Sequence, residues 1–318
     1  MKTFIYAFDT RWGALVLALF GSVLGAVVSW LLSARRMPAS YRIAVLGFPR
    51  TGKTTLITAL FAYLFREGVR GASIVPRGDE TIQRINADME QLELGRPIGP
   101  TTDQDVFAYR AEVRVPSVLT SRRYKLEIGD FPGESTVTFT EQYGDWLHRT
   151  KYFEWAISAD AFMFVLDTGS ILSDQTGEYV ARQKRAFRAA WQRLQEHYLE
   201  GSADLAKRPL ILVFSKADFL LLPRSELRWP EVLKKIPSMV SVDEARIDHE
   251  ALDLRSRFAD LIEYFERESR RFAIVFASVF VDVDGERLGV PRIARYIMPR
   301  STFWPVGRQG STIPSARP

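Results

Sequence analysis

The sequence predicts an α/β fold, in which helices cover both faces of a mostly parallel sheet as a three-layer αβα sandwich, preceded by one transmembrane helix. Apolar runs of strand length alternate with helical patterns along residues 41–299, as in parallel sheets that are buried on both faces. Polar residues directly follow several of these strands, at the carboxyl ends where such sheets bind ligands. Residues 13–32 carry no charge over a length that matches a bilayer.

The length of 318 residues suits one large domain together with a membrane anchor. The predicted organisation is a short N-terminal segment (1–12), a transmembrane helix (13–32), a linker (33–40), one α/β domain (41–299) and a basic tail that we expect to be disordered (300–318).

Composition excludes several kinds of site. The chain has no cysteine, which rules out a disulfide framework and thiol catalysis and suits a reducing compartment. Its three histidines are scattered, so no histidine-based metal site is expected. The formal net charge of +5 comes from residues 292–318, which hold five arginines and no acid. We therefore expect a basic tail near a membrane and no nucleic-acid partner.

The segment 13–32 has the properties of a single-pass anchor. As a helix, its residues would span about 30 Å, the thickness of a bilayer's hydrocarbon core. Trp12 and Trp30 lie near its ends, where indoles favour the membrane interface. A cleaved signal peptide would have a shorter apolar region and a small-residue cleavage site, and a buried core helix would carry more polar positions.

Charge and the small residues of the span give further expectations. Arg35 and Arg36 follow the span, which places the C-terminal domain in the cytoplasm, at the inner membrane if the source is bacterial. Gly21, Gly25 and Ser29 share one helix face and permit close helix–helix contact. This spacing leaves two alternatives open. One is a homodimer through the transmembrane helix and the large domains, and the other is a chance occurrence of glycine in a membrane helix.

The first half of the large domain follows a regular order. Residues 43–46 are a predicted strand and residues 53–66 a predicted helix, with a second, amphipathic helix at 79–94. Residues 105–115 and 123–128 alternate polar and apolar side chains, which predicts two neighbouring strands.

The second half repeats the pattern of buried strands and helices. Strands are predicted at 161–166, 209–214 and 272–277. A long helix running to Gly201 separates the first two, and a helix over 251–265 separates the last two.

Residues 47–54 read GFPRTGKT, the G-x-x-x-x-G-K-[ST] pattern of a phosphate-binding loop (P-loop), between a predicted strand and a predicted helix. The glycines let the backbone turn so that N–H groups and the helix N-terminus surround a phosphate. Lys53 would reach the β- and γ-phosphates, and the Thr54 hydroxyl would bind Mg²⁺. The flanking strand and helix argue against a turn that binds nothing. The predicted phosphate-binding residues are Gly47, Arg50, Thr51, Gly52, Lys53, Thr54 and Thr55.

Two further motifs follow predicted strands. Asp130-Phe131-Pro132-Gly133-Glu134 could hold Mg²⁺ through the aspartate while the Gly133 N–H meets a γ-phosphate. Ser215-Lys216-Ala217-Asp218 could bind guanine, because a carboxylate accepts hydrogen bonds from N1 and the exocyclic amine while the lysine stem covers the base. Either motif alone is also typical of an ordinary polar turn.

Taken in order, these motifs resemble the TRAFAC class of P-loop GTPases, the Ras-like G domains, over about residues 41–299. The resemblance implies a P-loop NTPase fold, GTP and GDP as ligands, Mg²⁺ as cofactor and slow hydrolysis of GTP as a molecular switch. It implies that Asp130 and Gly133 form the second switch and that Lys216 and Asp218 bind guanine. Ser278 would belong to a fifth motif whose backbone touches the base. Thr101 or Thr102 would sense the γ-phosphate and bind Mg²⁺, and Thr102 is favoured.

Three departures from the resemblance bear on activity. Ser215 replaces the usual Asn or Thr, which weakens the expected tie to the P-loop. Glu134 stands where Ras-like proteins have Gln, and an ionised Glu only accepts hydrogen bonds, so intrinsic hydrolysis should be slow. Arg50 makes the P-loop similar to that of guanylate-binding proteins and atlastins, which implies a catalytic arginine finger acting in cis when G domains dimerise. The alternative is an arginine that points to solvent or to an acidic neighbour.

Two alternative functions remain open at this stage. One is a nucleotide-loaded scaffold that hydrolyses little and docks an unidentified cytosolic protein at the membrane. The other is a P-loop ATPase of a transport system, against which the Ser-Lys-x-Asp motif argues. In layout, a membrane helix followed by a G domain is similar to the β subunit of the eukaryotic signal-recognition-particle receptor, and some bacterial predicted GTPases share the D-x-x-G-E form.

Overall fold

The structure is a computed structural model that describes residues 18–28, 39–69, 72–93, 98, 107–116, 121–130, 155–221, 247, 249–283 and 285–298. Its centre is a seven-stranded sheet. Four of its six neighbouring strand pairs are parallel and the two at one edge are antiparallel, which confirms the prediction of a mostly parallel sheet in an α/β fold.

The strands in chain order are β1 (Ala39–Gly47), β2 (Ser73–Pro76), β3 (Phe107–Pro116), β4 (Ser121–Asp130), β5 (Ala161–Asp167), β6 (Leu210–Ser215) and β7 (Phe272–Phe276). Their order across the sheet is β2-β3-β4-β1-β5-β6-β7. Strands β2 and β3 run antiparallel to their neighbours, whereas β4, β1, β5, β6 and β7 run parallel. The short strands β8 (Asp282–Val283) and β9 (Glu286–Arg287) form a separate hairpin.

The helices in chain order are α1 (Lys53–Glu67), α2 (Asp79–Glu93), α3 (Thr168–Ser173), α4 (Glu178–His197), α5 (Ser202–Leu205), α6 (Leu252–Arg257), α7 (Ala259–Glu268) and α8 (Val290–Ile297). A 3-10 helix, Ala217–Leu221, directly follows β6.

Apolar side chains fill a layer on each face of the sheet. Alternate residues of β1 separate the layers: Ile43 and Val45 pack toward α1 and α8, whereas Ala44 and Leu46 pack toward α4 and α7. Within the second layer, Trp191 of α4 is fully buried. Strands with apolar residues on both faces need cover on both sides, so the three-layer architecture follows from the sequence pattern.

The structure differs from the prediction in a few elements. The predicted helix 251–265 is two helices, because the backbone leaves helical geometry at Phe258 (φ −108°, ψ 11°), whose ring is buried against Phe214. The long helix expected up to Gly201 ends at His197. Strand β2 and helix α8 were not predicted.

The described part of the predicted anchor, residues 18–28, is helical. Its large apolar side chains are exposed, for example Phe20 at 74 % and Leu24 at 61 %. Within the residues that the structure describes, no helix combines the length and apolar character needed to cross a membrane. The rest of the predicted span, 13–17 and 29–32, lies outside those residues.

Candidate nucleotide-binding site

The loop between β1 and α1 takes its shape from two residues with left-handed backbone. Arg50 has φ 63° and Gly52 has φ 80°, so the chain turns sharply before the helix begins at Lys53. At the start of the loop, a Cβ on Gly47 would lie 2.8 Å from the carbonyl oxygen of Val165 on β5. Glycine is therefore required at position 47 because β5 passes so close.

The first turn of α1 offers an anion-binding environment. It contains no acidic residue, and its N-terminal N–H groups carry the positive end of the helix dipole. The Lys53 side chain is buried, and its Nζ donates hydrogen bonds to the carbonyl oxygens of Gly47 (2.8 Å) and Phe48 (2.9 Å). Thr54 and Thr55 are half-buried in the same turn. An ammonium, helix N–H groups and hydroxyls thus converge on one loop.

Ser215, the last residue of β6, reaches the P-loop. Its Oγ lies 2.6 Å from the Thr51 carbonyl oxygen and 2.8 Å from that of Leu166. A hydroxyl has one proton, so it donates to one of these carbonyls at a time. The serine therefore ties the end of β6 to the P-loop through a short side chain.

Lys216 forms a second tie between the same two loops. Its Nζ donates to the Arg50 carbonyl oxygen and to Oδ2 of Asp167, each at 2.7 Å. Its Cε lies 3.7 Å from where a Cβ on Gly52 would be, so the lysine stem lies along the P-loop. Lys216 also has a left-handed backbone, with φ 53°. Asp167 was not among the predicted site residues, although its position at the end of a buried strand is a signal for one.

Asp218 is the buried acid of the site. It is 1 % exposed, and its Oδ1 accepts a 2.6 Å hydrogen bond from the Ser278 hydroxyl. Its Oδ2 has no hydrogen-bond partner among the described residues. Burial raises the pKa of Asp218, and the Ser278 bond opposes that rise. A buried carboxylate oxygen without a partner is costly, so the arrangement favours a ligand that donates hydrogen bonds there.

The loop after β7 completes this end of the sheet. The Ala217 N–H donates to the Ala277 carbonyl oxygen at 3.0 Å, which joins the ends of β6 and β7. The Ser278 hydroxyl donates to Asp218, whereas the expected contact of its backbone with a base stays a prediction.

Arg50 is exposed, and its side chain makes no ion pair or hydrogen bond with the residues that the structure describes. Asp130 is the last residue of β4, where its backbone pairs with Phe107, and its side chain lies outside the described residues. Thr101, Thr102, Gly133 and Glu134 also lie outside them. The structure therefore brings together the P-loop, Ser215–Asp218 and Ser278, and leaves the predicted switch residues as predictions.

The residues present suit Mg²⁺ in part. The described residues include no cluster of histidine, aspartate and glutamate that could hold a metal alone. Mg²⁺ is commonly held by one or two protein ligands together with substrate phosphates. The Thr54 hydroxyl, next to Lys53 in the first turn of α1, fits such a shared site.

Comparison with known proteins identifies the family. The model of the family described as Double-GTPase 2 (DO-GTPase2) matches residues 41–266. The chain belongs to the Double-GTPase 2 family. The match covers the P-loop and the Ser-Lys-x-Asp motif, so this Double-GTPase 2 chain is a GTP-binding protein. Among curated proteins, no relative matches the sequence significantly.

Several solved structures are similar to this Double-GTPase 2 chain at low identity. A bacterial selenocysteine-specific elongation factor is 18 % identical, with 81 % of this chain and 28 % of that chain covered and a TM-score of 0.36. The signal recognition particle receptor SRb-GTP/SRX complex from Chaetomium thermophilum is 17 % identical, with 80 % and 98 % covered and a TM-score of 0.39. The Ski7 GTPase-like domain of S. cerevisiae, bound to GTP, is 15 % identical, with 79 % and 45 % covered and a TM-score of 0.39. The chain thus spans under a third of the elongation factor and under half of the Ski7 chain.

Proposed function

We propose that the protein binds GTP with Mg²⁺, hydrolyses it to GDP and phosphate, and acts as a membrane-anchored molecular switch of the TRAFAC, Ras-like type. The observation that carries the proposal is buried Asp218, whose Oδ2 has no hydrogen-bond partner among the described residues, two positions after the Lys216 that donates to the P-loop carbonyl of Arg50. Guanine presents two adjacent donors to such a carboxylate, whereas the corresponding edge of adenine does not.

Each part of the chain has a role in this proposal. Lys53 and the N–H groups of the α1 N-terminus bind and orient the phosphates, and the Lys216 stem covers the base. Thr54, with Asp130 and Thr102, would hold Mg²⁺, which supplies charge neutralisation at the β- and γ-phosphates. The Gly133 N–H would meet the γ-phosphate. Glu134 would accept a hydrogen bond from the attacking water, and this acceptor-only role implies slow turnover.

Arg50 is proposed as an arginine finger. Its carbonyl is held by Lys216, and its guanidinium lies exposed on the P-loop, where it could reach developing charge on the phosphates. Dimerisation of G domains would bring a partner surface that directs it inward. A catalytic arginine of this kind raises the rate by about 10³–10⁵.

The membrane anchor is part of the proposal. It is supported by the uncharged segment 13–32 and by the exposed apolar side chains of residues 18–28. The positive-charge bias supports a cytoplasmic position of the GTPase domain. The full chain should therefore float with phosphatidylcholine vesicles after an alkaline wash. Its release by that wash would refute the anchor.

The experiment that tests the function is a competition between GTP and ATP for the full chain in phosphatidylcholine vesicles with Mg²⁺, followed by turnover at several protein densities. Tight GTP binding, with turnover per molecule that rises with density, supports a dimer-activated GTPase. Tight GTP binding without turnover instead supports the nucleotide-loaded scaffold that docks a cytosolic partner. A preference for ATP would overturn the role of Asp218 and with it the proposal.

A further inference from the structure

One face of the sheet carries an unusual concentration of positive charge. It is formed by β2, β3, β4 and the start of β1, on the side opposite α1 and α2. Six cationic side chains there share two carboxylates among the described residues, Glu112 and Glu127. We call this the basic face; its cations are Arg42, Arg77, Arg110, Arg114, Arg123 and Lys125.

The register of the strands produces this cluster. In the antiparallel pair β3–β4, Arg110 lies opposite Glu127 and Arg114 lies opposite Arg123. Tyr109, Ala111 and Val113 alternate with these residues and point into the core under α1 and α2. The polar side chains that alternate with these core residues therefore all lie on the opposite face of the sheet.

The acids of the basic face lie beneath its cations. The Glu127 side chain is 4 % exposed and accepts from Lys125 at 2.6 Å, with Arg42 at 3.3 Å and Arg110 at 3.7 Å. The Glu112 side chain is 14 % exposed and pairs with Arg77, Arg114 and Arg123. The six cations are between 37 % and 58 % exposed. The outward surface is therefore positive, with four more cations than acids.

The arrangement is poorly compensated within the described part of the domain. Arg114 and Arg123 lie directly opposite each other across two strands, and like charges in that position destabilise a sheet. They share one carboxylate, at 2.8 Å from Arg114 and 3.9 Å from Arg123. The apolar layer under α4 and α7 includes no residue of β2, β3 or β4, so none of the described helices packs on the basic face. An external anion would relieve this repulsion.

The position of the basic face indicates which anion. Strand β1 begins at Ala39, and linker residues 33–38 span at most about 21 Å even when fully extended. Ser40 pairs with Lys125, and Arg42 lies two residues further along β1. Several of the cations thus surround the point where the chain leaves the proposed anchor. The tether keeps them near the bilayer, so weak electrostatic contacts act at high effective concentration.

We propose that the basic face binds anionic lipid headgroups of the membrane that anchors the chain. This rests on the proposed membrane anchor but not on GTP hydrolysis. Strand β1 rises about 3.3 Å per residue, so the P-loop at its far end lies about 25 Å along the sheet from the anchored end.

The test exploits the absence of cysteine from the chain. Ser73, exposed on β2 and paired with Arg114, is replaced by cysteine and labelled with a donor fluorophore. Energy transfer to an acceptor lipid is then measured for the full chain in phosphatidylcholine vesicles and in vesicles that also contain anionic phosphatidylglycerol. We expect transfer to be about twofold or more higher with the anionic lipid, and to fall again at high salt. A label at Gln83, exposed on α2 on the opposite side of the sheet, should show no such change.

Two charge variants make the test specific. Combined Arg110→Gln, Arg114→Gln and Arg123→Gln should abolish the lipid-dependent gain. A matched variant with Arg185→Gln, Arg267→Gln and Arg295→Gln, which removes equal charge from α4, α7 and α8, should retain it. GTP binding by both variants reports folding.

Two results would overturn the inference. One is equal energy transfer in both lipids from a chain that floats with the vesicles, and the other is equal loss in the two charge variants. A chain that an alkaline wash releases from the vesicles would instead refute the anchor.

Discussion

Replacement of Asp218 with asparagine tests which base the site recognises. One oxygen of Asp218 accepts the Ser278 hydroxyl at 2.6 Å, and the other has no partner among the described groups. Guanine would donate to this carboxylate through N1–H and its amino group. Asparagine retains one acceptor and places an NH₂ group where the other stood, so at least one charge-assisted hydrogen bond is lost and two donors face each other.

The expected magnitude follows from the hydrogen bond that is lost. A hydrogen bond to a charged group contributes about 1.5–3 kcal/mol, and about 1.4 kcal/mol corresponds to tenfold in affinity. The Asp218→Asn variant should therefore bind GTP about ten- to 150-fold more weakly. Because Asp218 is 1 % exposed, a base reaches it only when surrounding side chains move. That movement is needed in both proteins, so its cost cancels in the comparison.

The assay is a competition titration of the full chain with fluorescent GTP and ATP analogues. ATP affinity should change by less than about threefold, because adenine lacks the donor pair. Asp260→Asn, at an exposed carboxylate on α7, is the control and should leave both affinities unchanged. Equal weakening of GTP and ATP would refute the reasoning, as would an unchanged GTP affinity.

Three further predictions test separate parts of the structure. Arg50→Ala should lower kcat by about 10³-fold or more with similar GTP affinity, whereas Arg185→Ala should not; unchanged turnover would exclude the arginine finger. Ser278→Ala removes the hydrogen bond that lowers the pKa of Asp218. GTP binding needs the ionised carboxylate, so on acidification the variant should lose GTP binding at a higher pH than the parent. An identical pH profile would contradict that role. Hydrogen bonds from Arg114 and Arg77 lower the pKa of Glu112 to about 2 from 4.5, so this group stabilises the fold above its unfolded pKa and the contribution is lost as the pH falls toward 2. In urea unfolding, Glu112→Gln should therefore be less stable than the parent at neutral pH and equal to it near the folded pKa, and a constant difference would argue against the ion pairs.

Much of the fold could be predicted because the strands that build its centre are buried on both faces. Strands β5 and β6 are fully buried and read as unbroken apolar runs. Strand β2 has only four residues and shows no comparable pattern, since it borders the sheet and exposes Ser73 and Val75. The break at Phe258 depends on tertiary packing, which local periodicity does not contain.

The sequence was sufficient to predict which loops form the site, but not which side chains contact each other there. Motif spacing indicated Lys53, Lys216 and Asp218, because chemistry requires those residue types at those strand ends. The bond between Lys216 and Asp167 depends on β5 and β6 lying side by side, which spacing along the chain does not specify. The basic face was missed for the same reason, since its cations are ordinary alternating polar residues until antiparallel register brings them together.

The bridge made by Lys216 has a consequence for how nucleotide leaves. One ammonium holds the P-loop carbonyl of Arg50 and the Asp167 carboxylate together, and in the proposed function the stem of the same side chain covers the base. The phosphate end and the base end of the proposed pocket therefore both depend on this one side chain. A protein that displaced this side chain would weaken nucleotide binding at both ends. A guanine-nucleotide exchange protein would therefore need to contact only one loop to release the nucleotide.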